Sequence, residues 1–307
     1  MNAHSNRSEI LVLGFPDYEQ QAYDLAKALD APVSIVDLHR FPDGESLVKI
    51  PTPLPPRVVL FRSLDNPNSK LVELLLCSAT ARTLGAKHIT LVAPYLCYMR
   101  QDKAFHPGEA VSQQIVGQFI GNLCDSLITV DPHLHRIHQL SEAVSVYPAL
   151  VLSAAALFSN FLTERLSNPF LIGPDSESRQ WVAKVAQPAQ LDYAVGAKTR
   201  RGDREVSIEF PITDFSGRTV VIMDDIASTG NTLATAARKV VAAGASAVYG
   251  LVTHALFAGN ATTLLQQAGI QEMWSTDSIP HPTNAVSLVS MLKESVERIF
   301  TNQFEQR

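Results

Sequence analysis

Runs of apolar, largely β-branched residues recur along the chain with no polar alternation inside them. They are ILVLGF (10–15), RVVLFRS (57–63), HITLVAPY (88–95), SLITVD (126–131), PFLIGPD (169–175), RTVVIMDD (218–225) and SAVYGLVTH (246–254). A strand with one solvated face alternates apolar and polar residues, whereas a strand covered on both faces reads as a continuous apolar run. Between most of the runs lie helical patterns: NSKLVELLLCSATARTLGA (68–86), SQQIVGQFIGNL (112–123), SAAALFSNFLTERL (153–166) and GNTLATAARKVVAAGA (230–245). Strand alternating with helix specifies an α/β fold in which a mainly parallel sheet is flanked by helices.

The pattern occurs twice, with a change near SEAVSVYPALV (141–151), which divides the chain into two similar domains, 1–147 and 148–307. The length of 307 residues agrees, since single cores rarely grow past about 250 to 300 residues. The final helical pattern, SLVSMLKESVERIF, is expected to pack back on the first domain. Three of the strands end in Asp followed by polar residues and a helix, in ITVDPHLHR, FLIGPDSES and VVIMDDIASTGNT. Ligands of open α/β sheets bind beyond the carboxyl ends of the strands, so chemistry is expected at those endings.

Charge narrows the partners. Lys and Arg total 25 against 30 Asp and Glu, a net charge of −5, so no general attraction draws in a phosphate backbone and nucleic acid is not an expected partner. An anionic substrate needs a local basic site. Three cysteines, Cys77, Cys97 and Cys124, form neither a CxxC pair nor an even disulfide set, which points to a reducing compartment. No apolar stretch suits a signal peptide or a membrane span. A cytoplasmic protein without membrane attachment is expected.

The strongest local signal is RTVVIMDDIASTGNTLATAARKVV, where a buried strand ends in the acid pair Asp224 and Asp225 and passes through small residues into a helix. The N–H groups of Ala227, Ser228, Thr229, Gly230, Asn231 and Thr232 stand at a helix N-terminus without intrahelical partners, and with the hydroxyls of Ser228, Thr229 and Thr232 they can cradle a phosphate. Two carboxylates beside a phosphate repel it unless they accept hydrogen bonds from sugar hydroxyls or lie near a metal. Simple helix capping explains neither the second acid nor the hydroxyl run.

Other clusters are open to two readings from residue type alone. Arg100, Gln101, Asp102 and Lys103 follow a strand end, as a polyphosphate site or a solvated loop. His133, His135 and His138 have spacings that can supply metal ligands or lie on an exposed helix. Lys198, Arg200, Arg201 and Arg204 crowd into seven residues between two short strands, as a binding loop or a solvated hairpin tip.

The 218–232 stretch resembles the ribose-phosphate loop of the phosphoribosyltransferase fold. Four more segments narrow the resemblance to the ribose-phosphate diphosphokinases, the phosphoribosyl-pyrophosphate synthetases. FPDGES (41–46) is similar to their FSDGE loop and PYLCYMRQDKAFHPGEAVS (94–112) to their PYxxYxRQDRxxxxxxxIS. TVDPHLHRI (129–137) is similar to TxDLHxxQI, and THALFAGNA (253–261) to THxxFxGNA. Collinear motifs over nearly the whole chain are more specific than any one of them.

The resemblance implies two domains of phosphoribosyltransferase type. It implies that Arg100, Gln101 and Asp102 bind ATP, while Phe41, Asp43 and Glu45 reach the adenine from a neighbouring subunit, so that a homo-oligomer shares its ATP site between subunits. His133 and Asp175 match magnesium-linked positions, and His135 and His138 do not. Lys198 and Arg200 match the catalytic Lys-x-Arg pair. Asp224, Asp225 and residues 227–232 match the ribose-5-phosphate site. The implied reaction moves the diphosphoryl group of ATP to the anomeric hydroxyl of ribose 5-phosphate, catalysed by positioning and charge neutralisation. No Walker-type GxxxxGK[ST] is present. A phosphoribosyltransferase would explain 218–232 but not FPDGES or RQDK, and a non-catalytic regulatory relative would not need Lys198 and Arg200. Two departures stand out: Ser176-Glu177-Ser178 replaces a glycine-rich turn, and Ser228 with Asn231 replaces Asp and Gly of the family's DTGGT.

Overall fold

The computed structural model describes residues 9–134, 139–201, 205–212 and 214–301, with backbone alone at 198–201 and 205–207. The chain forms two compact units, one built from residues up to Leu152 and from Leu288 onward, the other from Ser153–Ser287.

The first unit runs β1 (Ile10–Gly14), α1 (Glu19–Leu29), β2 (Val33–Ile35), β3 (Asp37–Arg40), β4 (Ser46–Lys49), β5 (Arg57–Phe61) and α2 (Pro67–Thr83). It continues β6 (His88–Val92), α3 (Ser112–Gly121), β7 (Ser126–Val130) and β8 (Ala149–Leu152). Its sheet has the order β2-β1-β5-β6-β7-β8, and each neighbouring pair is parallel. Strands β3 and β4 pair with each other as an antiparallel hairpin.

The second unit runs α4 (Ala155–Arg165), β9 (Phe170–Gly173), α5 (Arg179–Ala186), β10 (Tyr193–Val195), β11 (Ala197–Arg201), β12 (Glu205–Glu209), β13 (Thr219–Ala227) and α6 (Asn231–Ala242). It continues β14 (Ala247–Ala255), α7 (Ala261–Gln267), β15 (Glu272–Thr276) and β16 (Asn284–Val286). Its sheet, β10-β9-β13-β14-β15-β16, is again parallel throughout, and β11 with β12 forms an antiparallel hairpin.

Continuous apolar runs become strands covered on both faces. Val58, Val59 and Leu60 of β5, and Val220, Val221 and Ile222 of β13, are successive residues pointing to opposite faces, yet all are buried. Burial of such a side chain contributes about 1.5–3 kcal/mol, so a strand of this composition is held only where both faces are covered. Helix α6 supplies one cover, burying Leu233, Ala234, Ala236, Ala237 and Val240 at the spacing of one helical face.

One feature departs from a division at 147/148. The first sheet extends through β8, which pairs residue by residue with β7. The last helix, α8 (Val289–Phe300), belongs to the first unit, where Phe300 meets the His88 ring edge-on at 5.8 Å and lies under the Arg57 guanidinium at 5.4 Å. The three cysteines are free and buried, and burial pushes each thiol up to about 12, which leaves no reactive thiolate. Among the described residues no helix is long and apolar enough to cross a membrane.

Candidate active site

Both sheets reverse direction at the same place. The chain leaves β1 for β2 on one side and returns to β5 on the other, and it repeats this from β9 to β10 and then β13. Such a reversal leaves a crevice at the carboxyl ends of the two central strands, the usual ligand position in an open parallel sheet. In the second unit the crevice lies between the ends of β9 and β13.

Strand β9 ends at Gly173, and Asp175 follows. The Asp175 Oδ1 accepts hydrogen bonds from the N–H groups of Glu177 (3.1 Å) and Ser178 (3.4 Å), and the Ser178 hydroxyl donates to the Asp175 carbonyl (2.6 Å). Ser176-Glu177-Ser178 therefore replaces a glycine-rich turn with one capped 3-10 turn. Close approach is supplied one step earlier, because a Cβ on Gly173 would stand 2.3 Å from the Ser178 Oγ.

Strand β13 delivers the acid pair. Asp225 is buried and Asp224 half-buried, and the Asp225 N–H donates to Asp224 Oδ1 at 3.0 Å. Burial, and then the charges of Asp225 and Asp175, hold the Asp224 carboxyl well above the usual carboxylate range. Like charges gathered in one crevice favour a partner that donates hydrogen bonds or carries positive charge.

Beyond the acids the chain turns into α6. The Ala227 and Ser228 carbonyls accept from the N–H groups of Phe257 and Ala258, both at 2.9 Å, so the THALFAGNA segment buttresses the loop from below. Gly230 is left-handed (φ 75°) and caps α6 without a side chain. A Cβ there would lie 3.3 Å from Leu265 Cγ and 3.5 Å from Ala261 Cβ. Thr229 and Asn231 are exposed, the Asn231 amide donating to Thr229 Oγ1 at 3.3 Å, and Ser228 and Thr232 are half-buried. A helix start with no side-chain cap, at the positive end of the helix dipole, is suited to an anion.

The remaining sequence candidates are placed as follows. Lys198 and Arg200 lie on β11, opposite Ile208 and Val206 of β12; their side chains, and the whole of Arg204, are outside the described set, as are His135 and His138. In the first unit, Phe41, Asp43 and Glu45 form the exposed turn of the β3–β4 hairpin. Phe41 donates its N–H to the Glu45 carbonyl (2.8 Å), Gly44 donates to Phe41 (2.9 Å), and Glu45 donates to Asp43 Oδ1 (3.1 Å). Arg100, Gln101 and Asp102 follow β6, with Gln101 fastened to the start of α3 through the Ser112 hydroxyl (2.8 Å) and the Gln113 N–H (3.1 Å). His133 is half-buried just past the end of β7. Among the described residues no group of three His, Cys, Asp or Glu side chains stands in metal-binding geometry.

Comparison with known proteins gives this arrangement a family. Residues 10–123 match the N-terminal domain of ribose phosphate pyrophosphokinase, and residues 177–305 match the phosphoribosyl synthetase-associated domain. The ribose-phosphate pyrophosphokinase of Methanopyrus kandleri is 37% identical over 278 residues, covering 90% of this chain and 94% of its own. The chain belongs to the ribose-phosphate pyrophosphokinase family. The Saccharolobus solfataricus ribose-phosphate pyrophosphokinase is 34% identical over 264 residues, 83% of this chain and 88% of its own. In fold, the chain is similar to the phosphoribosylpyrophosphate synthetase of Mycobacterium smegmatis, with a TM-score of 0.83, 23% identity and coverage of 96% of this chain and 100% of that one.

Motif reading of a ribose-phosphate pyrophosphokinase does not foresee what stands at the first unit's crevice. There, past the ends of β1 and β5, the fully buried Arg62 pairs with Asp17 (2.9 Å) and with Glu73 of α2 (2.7 Å), and Lys70 pairs with Asp17 (2.7 Å) and Asp65 (2.8 Å). Its helix start is also less suited to anions, for α2 begins with Pro67, which supplies no N–H, and Asp65 lies just before it. The repeated fold therefore places ion pairs at the first unit's crevice and an acid pair beside an uncapped helix start at the second's.

Proposed function

We propose that this ribose-phosphate pyrophosphokinase transfers the β,γ-diphosphoryl group of ATP to the anomeric hydroxyl of ribose 5-phosphate, yielding phosphoribosyl pyrophosphate and AMP. The observation that carries this reading is the end of β13 in the second unit, where an acid pair stands beside an uncapped helix start behind a left-handed glycine. The N–H groups and hydroxyls of residues 227–232 bind the 5-phosphate. Asp224 and Asp225 accept hydrogen bonds from the ribose hydroxyls, which sets the anomeric oxygen in line for attack. Arg100, Gln101 and Asp102 hold the nucleotide phosphates, while Phe41, Asp43 and Glu45 contact the base. Lys198 and Arg200 neutralise charge developing on the transferring group and on the departing AMP.

The donor set fits magnesium. Asp224, Asp225 and Asp175 are oxygen donors, burial and then the charges of Asp225 and Asp175 raising the Asp224 pKa, and magnesium uses few protein ligands while keeping waters and bridging phosphates, so no three-residue cluster is required. Asp175 and His133 are the residues assigned to it, and the ion supplies charge neutralisation of the nucleotide phosphates.

A cytoplasmic homo-oligomer that shares its ATP site between subunits completes the reading. Its support is apolar surface on the first unit, where Phe41 (40%) and Leu47 (46%) of the hairpin and Val72 (51%) and Leu75 (42%) of α2 are exposed; apolar exposure of this kind suits an interface.

The test supplies ATP, ribose 5-phosphate and magnesium and follows AMP. AMP that appears only with ribose 5-phosphate supports the proposal. Consumption of phosphoribosyl pyrophosphate with a base, without AMP release from ATP, would make it a phosphoribosyltransferase, and inactivity in both assays would leave a regulatory relative.

A further inference from the structure

The ion network at the first crevice also reaches the FPDGES hairpin, and it does so at both ends of the loop. Arg40 is the last residue of β3, next to Phe41, and Ser46 is the first residue of β4, next to Glu45. Both terminate on one oxygen of one side chain. Glu73 Oε1 accepts from Arg40 Nε (3.0 Å) and from the Ser46 hydroxyl (3.2 Å), and Arg40 Nη2 also lies at 3.0 Å from it. The other oxygen, Oε2, is paired with Arg62 at 2.7 Å.

Glu73 is completely buried although it carries a charge, whereas Arg40 is 59% exposed. Its place is set from inside. Arg62, itself 0% exposed, is clasped by Asp17 through Nε (3.0 Å) and Nη2 (2.9 Å) and lies over the Phe15 ring at 4.3 Å. A buried carboxylate held this way has one free direction of use, outward to the hairpin. The hydrogen bonds within the loop, among Phe41, Asp43, Gly44 and Glu45, define its shape but not the direction in which it points. Leu38 and Val48 seat the hairpin's base on the core, and at the strand ends the shortest charge-assisted bonds end on Glu73, with only a longer one from Arg40 Nη2 to Ser69 Oγ (3.4 Å) going elsewhere.

The geometry points to Glu73 as the positioning residue of this hairpin: it fixes the angle at which Phe41, Asp43 and Glu45 are presented to the nucleotide. This rests on assigning the FPDGES loop to ATP. Glu73 touches no substrate, and it acts through Arg40 and Ser46. Its loss therefore weakens nucleotide binding and spares the ribose-5-phosphate site and the chemical step.

The test uses the full chain and two variants. Glu73→Gln keeps the shape and removes the charge, with Asp17 still opposite Arg62. Arg40→Met/Ser46→Ala detaches the hairpin from its own side and leaves the Arg62–Glu73 pair whole, so it carries the test even if the first variant does not fold. In both, amide exchange at residues 40–46 is expected to accelerate at least about tenfold and KM for ATP to rise by about tenfold, with kcat and KM for ribose 5-phosphate within about twofold of the wild type. Hairpin protection unchanged in either folded variant, or a fall in kcat at constant KM for ATP, overturns the assignment. Accelerated exchange with an unaltered KM for ATP leaves Glu73 as the anchor and instead removes the FPDGES loop from the nucleotide site.

Discussion

Replacing Gly230 by alanine isolates the phosphate loop from everything around it, because the structure offers a matched control. Gly230 and Gly217 lie in the same unit and have almost the same backbone, φ +75° and +73°. An L-residue in that region costs about 1–2 kcal/mol, and Gly217→Ala meets only that cost, since nothing lies within 4 Å of its new Cβ. Gly230→Ala adds crowding: its Cβ sits 3.3 Å from Leu265 Cγ, and Leu265 is fully buried. Making room in a packed core costs about 1–3 kcal/mol, and a single 3.3 Å contact takes the low end, about 1 kcal/mol, so Gly230→Ala should cost roughly 2–3 kcal/mol against about 1–2 for the control. The kinetic contrast is larger. Relief of the crowding shifts the first turn of α6, whose N–H groups we propose bind the 5-phosphate, and KM for ribose 5-phosphate should rise by about tenfold or more, while KM for ATP and the kinetics of Gly217→Ala stay as in the wild type. Denaturant unfolding and steady-state assays of the two proteins measure both contrasts. An unchanged KM for ribose 5-phosphate in Gly230→Ala refutes the loop as the phosphate cradle, and a Gly217→Ala cost below about 0.5 kcal/mol refutes the backbone argument.

Three more outcomes follow from the site. Lys198→Ala should lower kcat by about a hundredfold or more with little change in KM for ATP, because a cation that meets charge developing in the transition state acts on the rate; equal losses in both would assign it to ground-state binding. Asp224 has a folded pKa above its free value, so its contribution to stability is complete below about pH 4 and is lost as pH rises through the folded pKa. Asp224→Asn should then melt higher than the wild type at pH 8, the gap narrowing toward pH 4, and a gap independent of pH would exclude the carboxylate cluster as its origin. Mixing Asp43→Ala with Lys198→Ala should restore partial activity if subunits share the ATP site, and its absence after proven subunit exchange would confine each site to one subunit.

The apolar runs were legible because covering both faces of a strand leaves no freedom in the pattern. The short edge strands were not: β2, β10 and β16 have three residues each, too few to show a period. The β3–β4 hairpin hides for another reason, since DLHR and SLVK alternate around a polar turn that reads as a loop. The acid pair and the phosphate loop could be read because strand, acids, glycine and helix are contiguous. The Asp17–Arg62–Glu73 network could not, since its members are joined only by folding. Its signal was nevertheless present, as the second arginine of RVVLFRS and a lone glutamate in LVELLL, charges that an apolar run tolerates only when they meet.

The placement of α8 in the first unit has a consequence for how the protein is made. The second unit is one unbroken stretch, Ser153–Ser287, set between two parts of the first. On a ribosome the first unit's six-stranded sheet emerges early, but the helix that buries Leu292, Val296, Ile299 and Phe300 emerges only after the whole second unit. The second unit can thus complete its core first, although it starts later, while the first waits with an apolar face uncovered. Nascent chains halted just after residue 287 should resist protease over 153–287 and be cut readily within the first unit, a reversal of the usual N-terminal-first order.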